Sequence, residues 1–177
     1  MNFQSLEKNV TDVTKEQQIK LGYREEIVRL YYPLSSLNHF LGTNSDIEGM
    51  KQNLKAFRAF AQSRLGAIRF SNEGDRFCFA VPPEGAAYVH SQLHEDEFIV
   101  DFIHAIEKHG CTIRELIEVF QKHSEHVHVE QVENGEFNFL IYFEDGIPDD
   151  YRYCLEVEEC HIIYHRFTQA DYEDFDF

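Results

Sequence analysis

Phe137-Asn138-Phe139-Leu140-Ile141-Tyr142-Phe143 decides how the chain is read. In an extended strand Phe137, Phe139, Ile141 and Phe143 fall on one face and Leu140 and Tyr142 on the other. A strand that is apolar on both faces belongs inside a sheet. The neighbouring runs supply that sheet. On the N-terminal side Val127, Val129 and Gln131 alternate with His126, His128 and Glu130, and Glu133-Asn134-Gly135-Glu136 carries the Asn-Gly pair of a tight hairpin. On the C-terminal side Tyr151, Tyr153, Leu155 and Val157 form one strand, Glu158-Glu159 a turn, and Cys160, Ile162, Tyr164 and Arg166 another. Four consecutive strands with short links predict an antiparallel meander covered on one face by helices.

The covering helices precede it. Thr112-Ile113-Arg114-Glu115 is a capping box opening a helix whose Ile113, Leu116, Ile117 and Phe120 face a core. Helices are also expected over Ala86 to Leu93 and Glu95 to His109, the acidic start Glu95-Asp96-Glu97 suiting the positive end of a helix dipole. Earlier, Ile68 and Phe70, then Phe77, Phe79 and Val81, alternate around Asn72-Glu73-Gly74-Asp75 as a hairpin, and Pro83 can open the next helix.

The first 66 residues read as helical. A weakly apolar helix covers 3–13. Thr14 with Gln17 then resembles a second capping box, with Ile19, Tyr23, Ile27, Leu30 and Tyr31 on one face of a helix ending near Tyr32. Leu34 to Gly42 is too short for more than a helical turn, and its Ser35, Ser36, Asn38 and His39 make it the first place to look for a small site. From Thr43–Ser45 to Leu65, closed by Gly66, runs the clearest helix, with Lys51, Lys55, Arg58 and Gln62 forming a basic stripe. The fold class is α+β: N-terminal helices and a β-hairpin, then helices packed on a four-stranded antiparallel meander. Residues 1–177 are expected to form one domain, with 1–82 and 83–177 as its natural subdivision.

Charge divides the chain. The formal net charge is −16. Residues 1–82 hold 11 Lys+Arg against 9 Asp+Glu, and 83–177 hold 5 against 23, so the excess lies in the second half. Such a field repels nucleic acid and anionic membrane and attracts cationic partners. The helix pair joined by His109-Gly110-Cys111 could imitate a DNA-binding motif, but it would turn Glu115 and Glu118 toward phosphates. No basic leader followed by an apolar run and no stretch of about 18 apolar residues is present, which points to a cytoplasmic protein. Cys78, Cys111, Cys154 and Cys160 form no CxxC pair and read as reduced thiols, with a Cys154–Cys160 bridge the less favoured alternative.

Candidate sites follow from residue type. His161 and His165 on one strand, with His126 and His128 on another, could hold a transition metal if three or four groups converged with supporting partners. Their spacing alone carries little, and a metal-free reading, with no cofactor, is preferred. The cluster Glu144, Asp145, Asp149 and Asp150 departs from the calcium-loop order because Ile147-Pro148 stands where ligands belong. Cys111 at a helix start could act as a nucleophile through a lowered pKa. His39, or His161 with His165, could serve as acid–base groups of an enzyme on a small polar substrate.

In AIRFSNEGDRFCFAVPPEG and IPDDYRYCLEVEECHIIYHRF the chain resembles an uncharacterised bacterial family of the gut-Firmicutes kind, a domain of unknown function. The resemblance implies a bacterial cytosolic protein and brings no activity or site. The preferred expectation is a non-enzymatic interaction protein presenting Glu144, Asp145, Asp149, Asp150, Glu158 and Glu159 to a basic protein partner. Homodimerisation remains open.

Overall fold

The computed structural model describes residues 1–133, 137–159 and 161–174. It divides into two compact units, Met1–Leu93 and His94–Phe177. The Asn134-Gly135 turn, Cys160 and the final Phe175-Asp176-Phe177 lie outside the described residues.

In the first unit, α1 (Phe3–Leu21) is one continuous helix rather than two. Thr14 does not cap a new segment: its hydroxyl donates to the Val10 carbonyl at 2.7 Å inside the helix. Gly22, at φ +76°, ends it, and the next element is not the expected helix but a strand, β1 (Val28–Pro33). The reason lies in period. Leu30 and Tyr32 are buried while Arg29 and Tyr31 face out, an alternation that one face of a sheet satisfies and a helix face does not.

After β1 come α2 (Leu34–Leu41), two turns rather than one, and α3 (Ile47–Leu65), capped by Asp46, whose carboxylate accepts from Gly49 N–H. The hairpin is formed by β2 (Arg69–Glu73) and β3 (Arg76–Val81) as expected, and β1 joins it to give an antiparallel sheet of order β1-β3-β2. Proline opens α4 (Pro83–Ser91) at its first turn. The core between α3 and the sheet contains Met50, Leu54, Phe57, Phe77 and Phe79, all at most 1% exposed. Two buried polar ties hold α1 in place: Tyr32 donates to Asn9 Oδ1 at 2.9 Å and Gln18 donates to the Ala86 carbonyl at 2.8 Å.

The second unit begins with α5 (Phe98–Ile106), shorter at both ends than its sequence pattern suggests, because Glu95-Asp96-Glu97 forms the turn before it. Next is α6 (Ile113–His123), with the Thr112/Glu115 capping box in place. The strands β4 (Val127–Gln131), β5 (Phe139–Phe143), β6 (Tyr151–Val157) and β7 (Ile162–Thr168) pair antiparallel in chain order, and α7 (Gln169–Asp174) follows. The expected meander is therefore present. Its helix-covered face is cemented by aromatic edges: Phe98 meets Phe143 at 4.8 Å and Phe120 at 4.7 Å, and Phe102 meets Tyr153 at 4.7 Å.

Gly85 of α4 marks a close approach of α3 in the first unit. A Cβ there would lie 2.2 Å from the Leu65 carbonyl oxygen, a backbone atom that cannot rotate away. Gly85→Ala is expected to destabilise the protein by about 1–3 kcal/mol, the usual cost of overpacking, seen as a lower urea midpoint. An unchanged midpoint would contradict the close approach of α3 and α4.

Candidate functional site

The second unit concentrates the charge. Residues 94–177 contain 5 Lys+Arg against 22 Asp+Glu, whereas 1–93 contain 11 against 10. Most of the second unit's cations are already committed. Lys122 pairs with Asp101, and Lys108 lies 3.2 Å from Glu115. The Arg166 side chain is 7% exposed, sits 4.4 Å over the Tyr151 ring and lies 3.9 Å from Asp149. Arg152 stacks at 3.8 Å over Tyr142, which in turn stacks on His128 at 4.6 Å.

Chain topology then sorts the carboxylates. In the meander the β5–β6 loop lies at the end of the sheet where Val127 pairs with Phe143, and the β6–β7 turn lies at the other, where Val157 pairs with Ile162. Glu144, Asp145 and Asp150 thus stand apart from Glu158 and Glu159, separated by the length of a strand. The expected partner-binding residues form two groups rather than one patch. The helices enlarge the first group. Phe98 against Phe143, and Asp101 beside Lys122 and His123, bring the start of α5 and the end of α6 to that same end. Exposed Glu95, Asp96 and Glu125 therefore join Glu144, Asp145 and Asp150. Sequence reasoning explained Glu95 and Asp96 by the helix dipole and missed this gathering, which only the α5–α6 hairpin makes visible.

Asp149 differs from its neighbours. Its carboxylate accepts from Tyr151 N–H at 2.8 Å and from the Tyr153 hydroxyl at 3.1 Å. Tyr153 is fully buried, and burial followed by the charge of Asp149 pushes its hydroxyl well above the ordinary tyrosine value. Asp149 shapes the loop from within, while Asp145 accepts from Ile147 N–H and holds its first turn.

The histidines do not converge. His128 on β4 and His165 on β7 share a sheet face but have two strands between them, roughly 14 Å at about 4.8 Å per strand. His126 is exposed ahead of β4, and His161 is exposed beside Glu158 at 2.6 Å. Among the described residues no three His, Cys, Asp or Glu side chains group as metal ligands. His39 sits in α2 of the other unit, its ring 6.1 Å from that of Phe40. The polar loop after it is consumed by Asn38, which accepts from Ser45 N–H and Thr43 Oγ1 and donates to the Ser45 carbonyl. Cys111 runs against the nucleophile reading, since burial and then Glu115 push its thiol up rather than down. Cys154 is a free buried thiol, pushed up to about 11 by burial.

A family model described as a domain of unknown function, E. rectale gene description (DUF3877), matches residues 3–175. The chain belongs to this family. The match bears out the resemblance carried by the hairpin and the last two strands, and the family description names no activity or ligand. Neither a curated protein nor a solved structure matches the chain. Among the described residues no helix is long and apolar enough to cross a membrane.

The Asp101 carboxylate links α5 to α6 through Lys122 and His123. The Lys122 bond, outweighing partial burial and aided by His123, holds its pKa below the ordinary carboxylate value. A depressed folded-state pKa stabilises above the unfolded value of about 3.9 and loses that contribution as pH falls through the folded one. Asp101→Asn should lower the melting temperature at pH 7, and the gap to wild type should close as the pH is taken below about 3.9. A gap that persisted unchanged in acid would show that the residue acts by packing alone.

Proposed function

We propose that this protein is a non-enzymatic, cytoplasmic interaction protein whose second unit presents the acidic end of its sheet to a basic protein partner. The observation that carries this reading is the exposure of Glu95, Asp96, Glu125, Glu144, Asp145 and Asp150 at one end of a unit holding 5 cations against 22 acids. Carboxylates crowded at one end of a fold repel each other, and a cationic surface relieves that repulsion while gaining long-range attraction. The same field disfavours nucleic acid. Glu158 and Glu159, at the far end and with Glu158 beside His161, play a lesser part in this reading.

Exposed charges act through solvent, so salt must weaken the contact. The screening length falls from about 10 Å at 0.1 M salt to about 3 Å at 1 M. Capture from the native bacterium at low and at about 0.5 M salt should recover a basic protein only at the lower concentration. The variant Glu125→Gln/Glu144→Gln/Asp145→Asn/Asp150→Asn should lose that protein, and Glu158→Gln/Glu159→Gln should keep it. Retention by the quadruple variant, or binding indifferent to salt, would overturn the assignment.

A further inference from the structure

The basic stripe of α3 borders a groove in the first unit. Between α3 and the β2–β3 hairpin lies a cavity of about 290 Å³. Lys51, Lys55 and Arg58, at positions i, i+4 and i+7, point along one side of the helix, and all three line the cavity. Its floor is apolar: Leu54 and Phe77 are 1% exposed, and half-buried Phe70 packs edge-on to Phe79 at 4.6 Å. Opposite the cations stand Ser71 and Asn72 of β2.

Of the charge available there, that of Lys51 is used internally, by Glu48, which also lines the cavity, and that of Lys55 and Arg58 is not. Lys51 is paired with Glu48 at 2.6 Å and Lys55 reaches only the neutral Gln52 at 3.3 Å. Arg58 has no ion pair among the described residues, although its guanidinium is the group best suited to hold a carboxylate or phosphate through two parallel bonds. The cavity is of the size at which small-ligand sites begin, and it joins an apolar floor to a few convergent polar groups. A basic helix face that served only solubility would need neither the cavity nor the aromatic floor.

We infer that this groove binds a small organic anion, an aromatic or similarly flat apolar group lying on the half-buried Phe70 ring, above Leu54 and Phe77, with its phosphate or carboxylate held by Arg58 and Lys55. This site is independent of the acidic end of the second unit. Phenyl phosphate and benzoate are suitable probes, with inorganic phosphate and phenol testing each half of the chemistry alone.

Amide chemical shifts of the full chain should move saturably at residues 51–58 and 70–72 with at least one of the two aromatic anions, at a Kd of about 1 mM or below. Whichever binds identifies the anion class. Arg58→Gln should weaken binding about tenfold, the loss expected for one charge-assisted hydrogen bond, with no change in melting temperature because the side chain is exposed. The inference fails if neither probe moves those amides at about 10 mM. It fails equally if inorganic phosphate or phenol binds as well as phenyl phosphate, or if Arg58→Gln leaves the Kd unchanged.

Discussion

A buried hydroxyl organises the second unit. Tyr153 is placed by strand pairing at the centre of the aromatic cluster, where its ring meets Phe102, Phe120 and Phe98 and its side chain has no solvent exposure. A hydroxyl left without a partner there would cost roughly 1–3 kcal/mol, so the structure must bring an acceptor to it. Asp149 is that acceptor, which also fixes the start of β6 through Tyr151 N–H. A carboxylate drawn inward in turn favours a cation nearby, and Arg166 fills that position from the neighbouring strand while lying over Tyr151. The shape of the acidic loop follows from this chain of requirements. Asp149 turns in, and Glu144, Asp145 and Asp150 are left facing solvent.

The same logic consumes the unit's positive charge. Arg152 and Arg166 belong to the sheet, stacked on tyrosines, and Lys108 and Lys122 belong to the helix pair. Ring stacking and ion pairing thus engage four of the unit's five cations, Lys108 and Lys122 while still exposed, and leave the acids in large excess. In the first unit cations and acids are nearly balanced, and basic residues lie along α3 and on the outer face of its sheet, where Arg29, Arg69 and Arg76 are exposed.

Periodicity made most of this fold readable. The meander, the β2–β3 hairpin, α3 and the capped α6 each have a pattern that one secondary structure satisfies and the other does not. Val28–Pro33 was legible in principle, since Leu30 and Tyr32 alternate with Arg29 and Tyr31. Its helical reading drew on Ile19, Tyr23 and Ile27, which happen to continue the spacing upstream, and Gly22 was the signal that should have broken it. Thr14 misled for a local reason: the same hydroxyl that can cap a helix can also bond back to the carbonyl four residues earlier. The sites were less legible, because they depend on which elements become neighbours. Spacing along the chain could not reveal that two strands stand between His128 and His165, nor that Glu95 and Glu125 join Glu144 at one end of the sheet.

The proposed interaction requires the acidic field to be focused at that end rather than spread over the unit. Titrating the isotopically labelled chain with a short Lys/Arg-rich peptide at low salt, and following the amide shifts, tests it without knowledge of the natural partner. The largest shifts should fall on residues 95–97, 125–126 and 144–150 and fade as salt is added. Shifts of equal size around Glu158 and Glu159, or none at 144–150, would contradict it.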